Sequence, residues 1–392
     1  MINAHDTLCC GCAACAQVCP KSAIELRENE KGFLYPVVNE EHCVQCGLCD
    51  SVCPIHTAGT DHKEEQTILA VKHKSKEKRA QSQSGGAFAG MAETVLAEGG
   101  IVYGVALNDE LEPVYTRVAD SRKLPLLKGS KYVQAKVGNA FREVADDLNR
   151  GRKVLFSGTP CHVDGLLGFL KSSHVSTEGL FTVDLVCHGV PSPKIYRDYK
   201  ELLSERHGNK PIRGFNFRDK SFGWYGHVVV VVGKKKYRID DYVKIFYSNL
   251  ALRDNCFECA YANMSRCGDV TIGDCWGIEK FAPEFADNEG VSLLLLNTEK
   301  GKELWHNTAG YFDSMRVDDE SKILQRNLYA PTEKPKELEK FWEDYYRYGA
   351  EYCFYRYCKI DPESETEVIA PNQYAKRAIR KAKRFWHRVF PQ

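Results

Sequence analysis

Eight cysteines of this sequence fall into two identical runs. Cys9-x2-Cys12-x2-Cys15-x3-Cys19-Pro20 is repeated as Cys43-x2-Cys46-x2-Cys49-x3-Cys53-Pro54. Three thiolates at two-residue intervals wrap a short loop around one face of a four-iron cubane. The fourth, which precedes a proline, reaches across to the neighbouring cluster. The expected ligand sets are therefore Cys9, Cys12, Cys15 and Cys53 for one [4Fe–4S] cluster, and Cys43, Cys46, Cys49 and Cys19 for a second. Zinc takes four ligands per ion and supplies no reason for two runs of this form. Cys10 is extra to the pattern and reads as a bystander.

A second set of thiols lies further along the chain. Cys161 follows a predicted strand in Ser157-Gly158-Thr159-Pro160-Cys161, and Cys187 follows the next in Leu185-Val186-Cys187-His188-Gly189. Ligands of open α/β sheets gather outside the carboxyl ends of the strands, so both thiols should face one crevice. Cys256-Phe257-Glu258-Cys259 could close it from the far side. Four thiolates from three loops suit a third [4Fe–4S] cluster. Three alternatives stand beside it: inert buried thiols, zinc held with His162 and His188, and competition from Cys267 or Cys275. Cys353 and Cys358, set among aromatics, read as packing thiols.

The elements that must carry these residues follow from periodicity. Between the two cysteine runs, Ala23–Leu26 and Phe33–Val37 read as short strands around Glu30-Lys31-Gly32. A polar linker, Thr57–Gln66, precedes a strand at Ile68–His73. Ser82-Gln83-Ser84-Gly85-Gly86 then opens a helix carrying Ala87, Phe88, Met91, Val95 and Leu96, which Gly99-Gly100 stop. Such a start leaves N–H groups open to an anion such as a pyrophosphate, or is a plain cap and turn. Strands at Ile101–Leu107, Val154–Phe156, Leu180–Val186, Val270–Gly273 and Ser292–Asn297 alternate with helices at Asn139–Asn149 and Val163–Leu170. A hairpin is expected at Val228–Val232 and Tyr237–Ile239, turning at Gly233–Lys236. The expected fold is an α+β ferredoxin-like two-cluster module followed by an α/β domain with a mixed central sheet. The division expected is residues 1–57, 58–150, 151–350 and a C-terminal extension, 351–392.

The chain has 392 residues, 43% hydrophobic and 27% charged, with a net charge of +1, so nothing in its overall charge argues for nucleic acid. Seventeen cysteines with no visible secretory signal point to metal ligation in a reducing, cytoplasmic compartment rather than to disulfides. Apolar runs such as Val228–Val232 are too short to cross a bilayer. From Tyr374 onward, apolar residues share one helical face and seven Lys or Arg residues occupy the rest. A basic amphipathic helix of this kind lies on an anionic membrane surface, docks a partner, or packs on its own domain.

Taken in order, several motifs resemble one known family, the β subunit of coenzyme F420-reducing hydrogenase and dehydrogenase in its form with an N-terminal two-cluster ferredoxin. They are Ser84-Gly85-Gly86, Lys128-Gly129-Ser130-Lys131-Tyr132-Val133-Gln134, Gly158-Thr159-Pro160-Cys161, Cys187-His188-Gly189-Val190-Pro191-Ser192, Phe217-Arg218-Asp219-Lys220, Cys256-x2-Cys259 and Asp269-Val270-Thr271-Ile272-Gly273-Asp274-x-Trp276-Gly277. The resemblance, which runs to about Ala350, implies an FAD-dependent iron–sulfur oxidoreductase. By it, Ser84, Gly85 and Gly86 meet the flavin nucleotide phosphates with help from Lys128, Ser130, Lys131 and Tyr132. Cys161, Cys187, Cys256 and Cys259 hold the third cluster. His162 stands where glutamine is expected and Cys275 where an aromatic is usual; neither change removes a ligand. The implied partners are a redox donor such as ferredoxin and a small organic substrate or deazaflavin, with flavin joining one-electron to two-electron chemistry. The alternative is a non-catalytic relay subunit of a larger complex. Asp184, His188, Arg218 and Lys220 are candidate proton donors or loop anchors, and Trp224 either stacks on a ligand ring or packs on its loop.

Overall fold

The computed structural model describes residues 7–57, 66–361 and 365–368. The basic C-terminal helix and most of the linker expected from sequence lie outside these residues.

The N-terminal module pairs β1 (Ile24–Glu28) antiparallel with β2 (Leu34–Val38), with Ile24 opposite Val38. Both strands start one residue later than the apolar run implies. The connecting turn passes through Gly32 at φ 80°, a conformation open to glycine without a Cβ penalty.

The body is built on β3 (Thr67–His73), β4 (Ile101–Leu107), β5 (Pro113–Val118), β6 (Val154–Gly158), β7 (Leu180–Leu185), β8 (Ile212–Asp219), β9 (His227–Val232), β10 (Lys235–Arg238), β11 (Val270–Asp274), β12 (Ser292–Leu296), β13 (Phe312–Arg316) and β14 (Thr366–Val368). Eight of these form a sheet of order β13-β3-β12-β11-β7-β6-β4-β5. Four adjacent strands, β11, β7, β6 and β4, pair in parallel, and the other pairings of the sheet are antiparallel. Val154, Leu155 and Phe156 are wholly buried, as a strand covered on both faces requires. On one face the helices Ala140–Asn149 and Pro160–Ser172 pack through Phe141, Val144, Val163, Leu166 and Phe169. On the other lie Ala87–Ala97 and Glu299–Thr308, packed through Met91, Val95 and Leu304. A smaller sheet of order β14-β10-β9-β8 packs with the helices Pro193–Arg206, Asp241–Tyr247 and Leu338–Cys358 around an aromatic core of Tyr196, Tyr199, Phe215, Phe217, Tyr242 and Phe354. Cys353 and Cys358 are buried in that core.

Several elements were not legible from periodicity. The sheet-edge strands β5 and β13 bury only some of their residues, so their pattern is broken and neighbouring strands define them. The expected hairpin turn is shorter than its lysine run suggests. Lys235 already pairs with Val232, which leaves only Gly233-Lys234 in the turn. Among the described residues no helix is long and apolar enough to cross a membrane.

The two-cluster module sits on the helix Pro160–Ser172, which presents glycine at the points of contact. A Cβ at Gly165 would lie 2.9 Å from Cys12 Sγ, and one at Gly168 would lie 3.0 Å from Val52 O. Polar bonds complete the seat: Arg142 Nε donates to Gln17 O (2.8 Å), and Gln17 Oε1 accepts from Phe141 N (3.0 Å). Lys31 pairs with Asp254 (2.9 Å) and Arg197 with Glu28 (2.6 Å). Gly165→Ala is expected to overpack this seat and cost about 1–3 kcal/mol. Anaerobic thermal denaturation should show a melting temperature several degrees lower, and an unchanged one would mean that the contact yields freely.

Candidate functional site

The two cysteine loops adopt the same backbone conformation. Left-handed φ recurs between the first and second cysteines, at Gly11 (72°) and Gln45 (55°), and again just after the second, at Ala13 (62°) and Gly47 (75°). Alanine and glutamine adopt this region at a steric cost, so the shape is held by what surrounds it. Each loop lines a cavity. One is lined by Cys9, Cys12, Cys15 and Cys53, with Cys10 beside them, and the other by Cys19, Cys43, Cys46 and Cys49. These are the crossed sets expected from spacing. The two cavities differ in setting: Cys12 and Cys15 are buried, whereas Cys46 is exposed and Val44 beside it is 57% exposed. Burial and the neighbouring thiols push Cys15 up to about 12. A thiolate there needs a cation beside it, and iron fits that need.

The second set of thiols gathers at the carboxyl end of the parallel strands. Cys161 opens the helix after β6, Cys187 follows β7, and Cys256 and Cys259 come from a loop ahead of β11. Every pair among the four is close enough to interact electrostatically. Burial is the main cause that pushes Cys256 up to about 12. The histidines of the zinc alternative turn elsewhere: His162 Nδ1 meets Tyr115 OH at 3.0 Å, and His188 Nε2 meets Asn249 Oδ1 at 2.7 Å. Cys267 Sγ is spent on Pro160 O (3.2 Å), and Cys275 is buried in a separate core. Cys10, extra to the pattern, is buried, lines the first cavity beside Cys12, and lies near Cys161 as well. A doubled Cys-Cys was the only sequence sign of it. The four thiols could hold a cubane one side chain away from the first cavity.

A buried ion pair holds this corner together. Arg266, 1% exposed, pairs with Asp184, 0% exposed, at 2.8 Å. Arg266 also donates to Tyr261 O (2.6 Å) and Leu185 O (2.9 Å), which ties the Cys259 loop to the end of β7. Asp184 accepts from Gly268 N at 3.0 Å. Of the two readings open for Asp184, the structure supplies the loop anchor.

The residues expected at a flavin form a rim next to His188. Ser84 and Gly85 are engaged in packing: Ser84 Oγ donates to Val291 O (2.7 Å), and Gly85 N to Ser292 Oγ (2.9 Å). A Cβ at Gly85 would fall 2.2 Å from Val71 O. Gly86, at φ 86°, caps the helix Ala87–Ala97, whose first N–H groups stay available. Near that start His73 Nε2 is buried without a partner, and Lys128 lies within electrostatic reach of His73. Lys131 Nζ donates to Lys128 O (2.8 Å) and Leu126 O (3.2 Å), and burial pushes it down to about 7. Tyr132 stacks on Phe246 at 4.4 Å, with Ser130 and Arg218 in hydrogen-bonding reach of its hydroxyl. Arg218 forks onto Asp274 (2.7 and 3.0 Å), and Lys220 Nζ bonds Ser84 O (2.7 Å). Trp224 is buried; it stacks on Trp276 at 4.7 Å and donates to Asp274 (2.8 Å). Tyr225, whose ring also stacks on Trp276 at 5.2 Å, is 74% exposed. An orphan imidazole nitrogen, open helix N–H groups and two lysines could accept the phosphates of a dinucleotide.

Fold and thiols together define an iron–sulfur protein in which a two-cluster module is seated on an α/β body. Residues 8–57 match the 4Fe-4S dicluster domain, and residues 151–320 match the family described as the C terminus of the beta subunit of coenzyme F420 hydrogenase/dehydrogenase. The chain carries both domains in one polypeptide. It is 28% identical to the F subunit of the F(420)H(2) dehydrogenase of Methanosarcina mazei over 47% of its own length and 54% of that protein. It is 23% identical to the coenzyme F420-dependent sulfite reductase of Methanocaldococcus jannaschii over 82% of its length and 49% of that protein. The chain thus spans about half the length of these relatives. A chain of the F420-reducing [NiFe] hydrogenase complex from Methanosarcina barkeri is similar over 72% of this one and 91% of its own length, with a TM-score of 0.47 and 17% identity.

Asp184→Asn would leave the Arg266 guanidinium buried against a neutral amide. Breaking a buried pair in this way costs about 3–5 kcal/mol, which chemical denaturation should register as a lower midpoint. An unaltered midpoint would mean that the carbonyls hold Arg266 alone.

Proposed function

We propose that this chain is an FAD- and iron–sulfur-dependent oxidoreductase that takes electrons from a ferredoxin-type donor and delivers them to a small organic substrate or deazaflavin. The observation that carries the reading is the approach of Cys161, Cys187, Cys256 and Cys259 to one another, with Cys10 joining them to Cys12. Zinc–sulfur bonds of about 2.3 Å crowd four sulfurs around one ion. A cubane takes its four thiolates at more widely spaced corners.

The wire so built has a direction in space. The loop with exposed Cys46 and Val44 receives the donor, Cys10 spans the next junction, and Cys187-His188 carries the path to the rim of Tyr132, Arg218 and Lys131. Flavin, when bound there, supplies the exchange between one-electron and two-electron steps. Lys131 and Lys128 neutralise its phosphates, and the helix start at Gly86 orients them. Arg218 is held by Asp274 with its charge facing Tyr132. Lys220, pushed down to about 8 mainly by burial, can exchange a proton near neutral pH. The Methanosarcina mazei relative is one subunit of a dehydrogenase, which favours a second reading, a relay whose substrate site lies in a partner. Dithionite-reduced isolated protein that reduces no deazaflavin or other acceptor would favour that relay.

Anaerobic protein should contain about twelve iron atoms and one FAD per chain if three cubanes and the flavin are present. About eight iron atoms and no flavin would leave the dicluster module alone and end the oxidoreductase reading. FAD affinity should also depend on pH through Lys131. Its ammonium is present below its depressed pKa of about 7 and is lost as pH rises, whereas the flavin pyrophosphate does not titrate there. Binding to deflavinated protein should weaken about tenfold between pH 6 and 8, and Lys131→Met should flatten the profile. A wild-type profile that is already flat would remove Lys131 from the site.

A further inference from the structure

Arg253 lies three residues ahead of Cys256, and its side chain is completely buried. It is joined to both halves of the molecule. Nε donates to Cys9 O at 2.7 Å, Nη2 to Leu34 O at 3.0 Å, and Nη1 to Gln134 Oε1 at 3.2 Å. The guanidinium lies over Tyr35, 4.0 Å from the ring centre. On the other side its backbone N–H bonds Val190 O (3.0 Å), and its carbonyl accepts from Cys256 N (3.0 Å). One residue therefore touches the first cysteine loop, the β1–β2 hairpin, the loop of Cys187 and the Cys256 turn.

Among the described residues, no carboxylate pairs with its charge. Its three acceptors are two carbonyls and an amide oxygen, and the adjacent Asp254 is turned to Lys31 at 2.9 Å. A buried cation without a counter-ion is costly, and such a residue is kept where an anion stands nearby. The groups within reach that become anionic are the thiolates: the field of Arg253 acts on Cys161 and Cys256, and its fork holds the carbonyl of Cys9.

We propose that Arg253 is the shared counter-charge and positioning residue of the junction between the cluster of Cys9, Cys12, Cys15 and Cys53 and the cluster of Cys161, Cys187, Cys256 and Cys259. Each cluster gains one negative charge when it takes an electron. A fixed cation between the two therefore favours their reduced forms, raising both potentials above those the same buried sites would have without it, with little effect on the solvent-facing cluster of Cys19, Cys43, Cys46 and Cys49. The inference rests on the three-cluster reading for its second half only.

The test is an EPR-monitored redox titration of the anaerobic holoprotein, wild type, Arg253→Gln and Arg253→Lys, after iron and sulfide have been counted. The solvent-facing cluster is identified as the signal altered in Cys46→Ser. In Arg253→Gln the other two midpoints should move negative while that of the solvent-facing cluster stays. In Arg253→Lys, which keeps the charge, they should remain near the wild type. Equal shifts at every cluster, no shift, or the same shift in both variants would overturn the inference. Failure of both variants to take up iron would do so as well, since it would mark Arg253 as scaffold alone. Assembly in Arg253→Lys but not in Arg253→Gln would uphold the need for the charge. About eight iron atoms in the wild type would instead refute the third cluster, and the shift at the first cluster would still decide for or against Arg253.

Discussion

Sulfur anions repel one another, and they repel most strongly where water is excluded. Cys10, Cys12 and Cys15 lie buried on one side of the junction, with Cys161, Cys187, Cys256 and Cys259 close by on the other. In a medium of low effective dielectric, such a crowd is stable only as neutral thiols or with positive charge built in. Much of the surrounding architecture answers that constraint. Arg253 and Arg266, both fully buried, bracket the thiols, one with no carboxylate partner among the described residues and one paired with Asp184.

The same constraint explains how the body holds the module. A wire of clusters works only if its members stay close, so the seat must be tight as well as specific. The helix Pro160–Ser172 meets it with glycine at positions 165 and 168, where a side chain would hold the module away. Around this apolar contact, ion pairs and side chain to carbonyl bonds fix orientation while the buried sulfurs stay dry.

The rim around Lys131, Tyr132, Arg218 and Lys220 is built in another way. Its charged groups are fixed by hydrogen bonds: Asp274 anchors Arg218, and Lys220 ties to carbonyls rather than acids. Such a surface is preorganised, cationic and lined by aromatic rings. It adjoins Cys187-His188, so a molecule bound there would meet the sulfur crowd through one dipeptide.

The sequence alone determined whatever depends on local spacing. The crossed ligand sets follow from two runs of x2, x2 and x3, because a short loop can wrap a cubane face in few ways. The parallel core strands follow from unbroken apolar runs such as Val154–Phe156, because a strand covered on both faces has no polar alternation. Tertiary structure decided the rest. Edge strands β5 and β13 owe their existence to the neighbours that pair with them. Ser84 and Gly85 read as phosphate contacts in a one-dimensional motif, yet their polar groups are taken up by β12 and the residue before it, and the N–H groups left open belong to the helix after Gly86. Cys10 and Arg253 carry no periodic signal, because what distinguishes them is contact with residues more than a hundred positions away. Proximity of that kind is created only when the module closes onto the body.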